Sequence, residues 1–300
     1  MKYISVIKPG IIFGNIITLA GGFFLGAHNS NYQNLNLNNF ANFLHCLDIF
    51  VLTLIGMALI IASGCVFNNF IDRDIDKLMS RTKDRVSVTG SIGLLAGMIY
   101  AVFLGVLGFL VLYWATNLIT LLMAFVGFFV YVVIYSLFTK RTSIHGTAIG
   151  GISGAMPIVV GFSAATGQFN IGAIILFLIV FFWQIPHSYA IAIFRFKDYK
   201  AANIPVLPVK LGVNRSKISI LFYILSFFVA SLLPYLFGLT GIAYFIAAFL
   251  SGAIWVFYAI LGFKIKPNTK DADRLNIIWA RKIFFISILN IMLLSVMMLI

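Results

Sequence analysis

The chain has 300 residues, 62% of them hydrophobic and only 10% charged, with a formal net charge of +13 at pH 7. Soluble domains carry about 45–50% apolar and about 25% charged residues, so the composition excludes an ordinary soluble domain and reads as a polytopic membrane protein. At about 20 apolar residues per spanning helix there is room for roughly eight to ten spans and no separate soluble domain, so residues 1–300 are expected to form one integral-membrane unit.

Met1-Lys2 leads straight into apolar sequence, without the cleavage pattern of a signal peptide or the Arg/Ser-rich composition of a transit peptide. Apolar runs of spanning length then fall at Ile4–Ala27, Phe43–Phe67, Gly90–Tyr113, Leu118–Phe138, Thr147–Gly167, Ile171–Ile193, Ile218–Gly238, Ile242–Gly262 and Ile283–Ile300, nine in all. Backbone amides in lipid must be satisfied within the segment, so these runs are helices. The ten-residue alternation of a membrane β-barrel is missing. Cys46 and Cys65 lie in the second run without metal-ligand spacing and read as packing residues.

Nine spans create flanking segments that alternate between two sides. On one side lie Lys2 and Lys8, the connection Asp72–Val88, the pair Lys140-Arg141, the connection Phe194–Lys217 and the connection Phe263–Lys282, which together hold all 21 Lys and Arg. The other side has His28–Asn42, the short turns near Trp114–Asn117, Gln168–Asn170 and Leu239–Thr240, and the C-terminus, with no basic residue. By the positive-inside rule the basic side is cytoplasmic, which places the N-terminus inside and the C-terminus outside. In a soluble protein the same excess would suggest nucleic acid or an anionic surface; here the partner is the bilayer, and no nucleic acid is expected. The long connections after the second and sixth runs occupy equivalent places, a weak hint of repeated four-helix units.

Two constellations carry chemistry. All eight acids are Asp, with no Glu. If the second helix continues through its polar end, Asn68, Asp72 and Asp76 stack on one face at i, i+4 and i+8, with Asp74 opposite. A solvated helix end is the plain alternative, yet carboxylates at a helix C-terminus oppose the macrodipole. An amide and two carboxylates on one face suit Mg²⁺, a hard cation that takes one or two carboxylates plus substrate phosphates. Arg73, Lys77, Arg81, Lys83 and Arg85 follow closely, so acid and base together favour Mg²⁺ bridged to a phosphorylated ligand. The second constellation is Trp183-Gln-Ile-Pro186-His187-Ser-Tyr189 with the loop Phe194–Pro208. Asp198 is the one acid among the six basic residues of the whole Phe194–Lys217 connection, and reads equally as a surface ion pair with Arg195 or Lys197 or as a metal ligand facing Asp72. Pro186 frees a backbone carbonyl, which is tolerated where a helix lines a cavity. A lone His near a helix end is more often structural than catalytic, so the residues leave His187 open. The glycine-rich stretch Gly146–Gly161 reads as close helix packing.

The run Asn68-Asn-Phe-Ile-Asp72-Arg-Asp-Ile-Asp76, followed by Arg81-Thr-Lys-Asp-Arg85, resembles the N-x-x-x-D-x-x-x-D signature of UbiA-type intramembrane prenyltransferases. Pro186-His-Ser-Tyr and Lys197-Asp-Tyr-Lys-Ala-Ala-Asn-Ile-Pro-Val-Leu-Pro208 resemble the heme-farnesylating branch of that superfamily, over essentially the whole chain. Ala202 stands where the quinone and chlorophyll branches usually carry a second acid, as the heme branch also lacks it, and Asp198 has less help for that reason. The resemblance implies an all-α bundle of nine helices around a central cavity in a bacterial inner membrane, with its active site towards the cytoplasm. It implies Mg²⁺ on Asn68, Asp72, Asp76 and Asp198. Farnesyl diphosphate and heme b are the implied substrates, giving a hydroxyethylfarnesyl heme. Lys77, Arg81, Lys83, Arg85 and Lys197 would neutralise the leaving diphosphate, with Asp72, Asp76, Asp198, Lys83 and Arg85 as catalytic groups. Arg195, Tyr199 and His187 would bind substrate, His187 through iron, a propionate or the diphosphate. A heme-handling membrane partner is left unidentified. Two rivals remain: a prenyltransferase acting on a quinone precursor, and a transporter, which would more usually place ionisable residues near the bilayer midplane.

The one-sided distribution of basic residues generates a topology test. A reporter active only outside the cytoplasm should work when fused after Ile300 and fail when inserted near Ser80; two fusions reporting the same side would refute nine spans.

Overall fold

The computed structural model describes residues 2–29, 40–266 and 269–299. Most of the expected His28–Asn42 connection lies outside the described residues, as do Met1, residues 267–268 within the last basic connection, and Ile300. The described residues contain no strand and nine helices long and apolar enough to cross a membrane. In chain order these are α1 Pro9–His28, α2 Leu44–Ile71, α3 Leu94–Ala115, α4 Leu118–Thr142, α5 Gly146–Thr166, α6 Ile171–Phe194, α7 Leu207–Leu236, α8 Ile242–Lys264 and α9 Ala272–Met297. Large apolar side chains such as Phe103, Phe125, Phe222, Phe257 and Leu289 stay exposed on the outer surface. That is the surface expected of a protein whose solvent is lipid.

Four helix starts differ from the sequence expectation: α1 begins at Pro9 instead of Ile4, after a separate turn Lys2–Val6, α3 begins at Leu94 instead of Gly90, and two others lie a full 11 residues earlier than expected. Helix α7 begins at Leu207 instead of Ile218, and α9 at Ala272 instead of Ile283. Hydropathy misses these extensions because their outer faces carry exposed charges, Lys210 and Arg215 on α7 and Asp273 and Arg274 on α9. Their inner faces are helical stripes: Ala272, Asn276, Trp279, Ala280 and Ile283 are all buried on α9. Within α7 the chain breaks at Gly212, whose φ of 79° is left-handed and open to glycine at little cost. Helix α4 widens into a π-helical stretch, Val130–Thr139, and a last turn Lys140–Thr142 carries it past the expected end at Phe138. Such widened turns are frequent at functional sites, and this one lies on the cavity wall.

Helices adjacent in the chain pack against one another, α5 on α4 and α6, α7 on α8 and α8 on α9 across short connections, and α2 on α3 and α6 on α7 despite the long connections between them. Three longer-range contacts close the bundle: α1 against α5, α9 against α6, and α9 against α1. The main core lies in the second half, with Val159, Phe162, Ile179, Ile224, Phe227 and Trp255 buried together. A smaller core of Leu19, Met57, Ile60, Leu112 and Val160 ties α1 to α2, α3 and α5.

The α1–α5 contact is the tightest crossing. A Cβ on Gly22 would sit 2.2 Å from the Ile158 carbonyl oxygen, and one on Gly161 would sit 2.1 Å from that of Leu19. Lipid offers no hydrophobic drive for helices to associate, so close backbone approach through small residues does that work. Gly161→Ala should therefore lower thermal stability in detergent by about 1–3 kcal/mol, the cost of overpacking against unyielding backbone. Gly10→Ala, which meets no atom within 4 Å, should leave the melting temperature unchanged.

Candidate active site

A cavity of ≈ 690 Å³ opens between α1, α2, α4, α5, α6 and α9, within the range of about 300–1,000 Å³ common to small-molecule sites. It has two parts. One end, at the side where the basic residues lie, is walled by Asn68, Tyr135, Lys140 and Tyr199. The remainder is apolar and aromatic, with Phe128, Tyr131, Trp183 and Phe284 among its walls and His187 and Gln184 as polar points.

The polar end is built on the continuation of α2. Asp72 is not helical in its own φ and ψ, but the chain resumes a helical turn over Arg73–Asp76, with Asp76 N–H donating to the Asp72 carbonyl at 2.8 Å. Asn68, Asp72 and Asp76 are accordingly buried on one side, at 4%, 0% and 1% exposure. Each buried group has a partner. Lys8 Nζ donates to Asn68 Oδ1 at 2.7 Å, and Asn68 Nδ2 donates to Asp72 Oδ2 at 2.7 Å. The Lys140 ammonium pairs with the same Asp72 oxygen, and Arg85 pairs with Asp76 at 2.6 Å. Asp72 Oδ1 is buried and has no hydrogen-bond partner among the described residues, with the Arg141 guanidinium at 3.7 Å. Asp74 points the other way, pairing with Arg141 at 2.6 Å while its side chain is 64% exposed. That contact holds its carboxyl below the usual carboxylate range.

The π-helical stretch of α4 explains how this end is assembled. Tyr131 and Tyr135 are stacked at 6.0 Å and both face the cavity. Ser136 Oγ donates to the Tyr131 carbonyl across five residues and accepts from Asn68 Nδ2 at 3.1 Å. Lys140 then emerges over the Tyr135 ring, 5.9 Å from its centroid, aimed at Asp72. Lys8 comes from the opposite wall. It occupies the left-handed region at φ 53°, between the turn Lys2–Val6 and α1, and burial pushes its ammonium down to about 8. A non-glycine residue in that conformation costs on the order of 1–3 kcal/mol and clusters at functional sites.

The two motif loops meet through Asp198. Ser80 N–H and Oγ–H both donate to Asp198 Oδ1, at 3.1 and 2.7 Å. Ile75 and Met79 from the first loop bury against Ala202 and Ile204 from the second, flanked by Tyr199. Ala202 is part of an apolar seam, where a carboxylate would be desolvated without a partner. Tyr199 lines the cavity, and burial pushes its phenol pKa up.

Residues 15–289 match the family model described as the UbiA prenyltransferase family. The chain belongs to that family. It is 49% identical over 298 residues to a protein of Yersinia pseudotuberculosis serotype O:1b (strain IP 31758) named protoheme IX farnesyltransferase, covering 99% of this chain and 93% of that one. A protein of the same name from Photorhabdus laumondii is also 49% identical, over 99% and 94% of the two chains. Among solved structures, one described as digeranylgeranylglyceryl phosphate synthase in membranes superposes with a TM-score of 0.70 at 21% identity, covering 100% of this chain and 99% of that one. A UbiA homolog from Archaeoglobus fulgidus bound to GPP and Mg²⁺ gives 0.67 at 17% identity, over 97% and 99%. These two likenesses concern the fold.

Within this UbiA-family fold, the structure gathers Asn68, Asp72, Asp76 and Arg85 and brings Tyr199 and His187 to the cavity. Asp198 is 9% exposed and engaged by Ser80. Lys77, Arg81, Lys83, Arg195 and Lys197 are exposed. Among the described residues, no three His, Cys, Asp or Glu side chains group as a metal cluster. Sequence reasoning overlooked Lys8 and Lys140, which counted only as topology charges, and Tyr131 and Tyr135, which were lost among 12 Tyr and 31 Phe. A cation beside Pro9 at the mouth of an apolar helix was the available signal for Lys8.

Pairing at Asp72 can be tested without turnover. Lys140→Met strands a carboxylate at 0% exposure and should cost about 3 kcal/mol in thermal unfolding, as breaking a buried pair does. Adding Asp72→Asn should recover most of that loss. Asp74→Asn, at an exposed pair, should change stability by less than about 1 kcal/mol.

Proposed function

We propose that this chain transfers the farnesyl group of farnesyl diphosphate to a vinyl group of heme b, with addition of water, giving heme O and diphosphate. The observation that carries the reading is its 49% identity, along 99% of its length, to proteins named protoheme IX farnesyltransferase. The cavity suits that chemistry: an end walled by Lys140, Asn68, Tyr135 and Tyr199, with Asp72 directly behind Asn68 and Lys140, is offered to a diphosphate and joins an aromatic chamber for an isoprenoid and a porphyrin.

The donor set fits Mg²⁺. Asp72 carries a buried carboxylate oxygen without a hydrogen-bond partner among the described residues, and Asn68 and Asp76 share its face. Those three residues, with Asp198 from the second loop, would hold the metal, which supplies charge neutralisation on the diphosphate. Because Lys140, Arg85 and Lys8 already sit on these oxygen groups, they are placed to turn their donors to phosphate oxygens when substrate arrives. The exposed Lys77, Arg81, Lys83, Arg195 and Lys197 ring the same side and raise the local concentration of an anionic substrate.

Charge that builds on the leaving oxygen is met by these cations, the preorganised stabilisation that lowers such barriers. As the C1–O bond breaks, its electron pair goes to diphosphate and an allylic cation remains. Tyr131, Tyr135 and Trp183 line the chamber, and aromatic rings stabilise a cation. The vinyl carbon then bonds to C1, leaving a cation beside the porphyrin ring. Water adds there and loses a proton. No protein nucleophile and no redox step is needed. We further place the chain in the bacterial inner membrane as a single unit over residues 1–300, with the polar end of the cavity towards the cytoplasm.

The test is product analysis with purified protein, heme b, farnesyl diphosphate and Mg²⁺. Product made in ¹⁸O-labelled water should carry the label in its new hydroxyl, and preferential prenylation of a 4-hydroxybenzoate-like phenol would transfer the chain to the quinone-precursor class. Chelation should stop turnover and Mg²⁺ restore it. Asp72→Asn should cut turnover by at least about a hundredfold, the scale of losing one preorganised transition-state contact, and Asp74→Asn by only a few-fold; equal sensitivity would contradict the one-face arrangement.

A further inference from the structure

The wall formed by α6 and α9 contains a hydrogen-bond relay that the diphosphate end does not use. His187 Nδ1 lies 2.7 Å from Ser287 Oγ. Ser287 Oγ–H in turn donates to the Phe284 carbonyl at 2.5 Å. A serine hydroxyl has a single proton, and here it is committed to Phe284, so Oγ accepts from the imidazole. Nδ1 therefore carries the ring proton, and Nε2 of the neutral ring keeps a lone pair. Two rings fix the imidazole plane: Trp183 at 4.8 Å between centroids and 29°, and Phe284 at 4.6 Å and 34°. Trp183 is itself anchored, its Nε1–H donating to the Ser287 carbonyl at 2.6 Å. One residue thus sets the tautomer through its side chain and the flanking ring through its backbone.

We propose that Nε2 of His187 coordinates the iron of the porphyrin substrate, and that Ser287 is the positioning residue that keeps that nitrogen unprotonated. The inference rests on heme as acceptor. A neutral imidazole held in this tautomer has no N–H on Nε2, so that nitrogen cannot donate to a propionate or to a phosphate oxygen. It is a good metal ligand, and a hydrogen bond on the other ring nitrogen is what usually fixes tautomer and orientation in metal-bound histidines. Asp72, Asp74, Asp76 and Asp198 are engaged by Lys140, Arg141, Arg85 and Ser80, so none of these four carboxylates hydrogen-bonds the imidazole. Coordination forms one N–Fe bond, displaces a water or hydroxide from the iron, and moves no electron. Its effect is selection: an iron porphyrin is held in the chamber more tightly than the same macrocycle without metal.

The experiment is equilibrium binding of heme b and of metal-free protoporphyrin IX to the full chain in detergent, with the ferrous carbonyl spectrum reporting the ligand trans to CO. Wild type should prefer heme and show a histidine-ligated spectrum. His187→Ala should lose heme affinity by at least about tenfold, the lower end for disturbing a metal ligand's surroundings, while metal-free porphyrin binding holds. Ser287→Ala should lose part of the preference, and Ser287→Thr, which keeps a hydroxyl, should retain it. In His187→Gly, free imidazole should restore the spectrum, which separates ligation from folding. Equal weakening of both porphyrins by His187→Ala, or a heme spectrum indifferent to His187, overturns the proposal; if wild type still farnesylates heme in that case, the acceptor assignment stands. Failure of wild type to bind either porphyrin overturns both.

Discussion

The structure turns on a carboxylate kept inside the protein. Asp72 is fully buried at the polar end of a spanning helix, where an unpaired charge would cost several kcal/mol. The chain meets that cost from three directions: Asn68 one turn earlier on α2, Lys140 at the end of α4, and Arg141 beside it. Lys140 reaches Asp72 from the end of a π-helical stretch of α4. Holding Asn68 in place engages Lys8 in a left-handed conformation at the start of α1. The geometry of three helices around one cavity mouth thus follows from one charge.

The same mouth is closed from the second half of the molecule by contacts of a different kind. Ser80 joins Asp198, and an apolar seam of Ile75, Met79, Ala202 and Ile204 seals the two loops together. The seam gives Ala202 a packing role. Where a relative with an acid at this place would bring another oxygen to its site, this chain uses the position to glue loop to loop. The acidic donors are therefore concentrated on the α2 side, and the α6 side of the cavity is left to rings and to uncharged polar groups, Gln184, Ser188 and the His187 imidazole. That asymmetry suits an acceptor that is itself large, flat and mostly apolar.

Much of this was legible in the residues. The nine spans, the side on which the charges lie, and the face shared by Asn68, Asp72 and Asp76 all follow from periodicities of one helix at a time. The extensions of α7 and α9 were not legible, because their exposed charges mask a buried stripe when hydropathy is averaged. Nor were Lys8, Lys140 and Ser287, whose roles exist only because segments 60 to 100 residues apart in the chain come together.

The sequence by itself determined that the protein is a bundle of spanning helices with an acid-and-base site at one membrane edge, since lipid forces apolar runs into helices and leaves charges at their ends. Its motif further marked the family. Only the tertiary structure decided which cation answers which carboxylate, which loop seals which, and which hydroxyl meets His187. Those are pairings across helices, and a buried charge or hydroxyl selects its partner by distance in the folded bundle, a quantity that no spacing along the chain encodes.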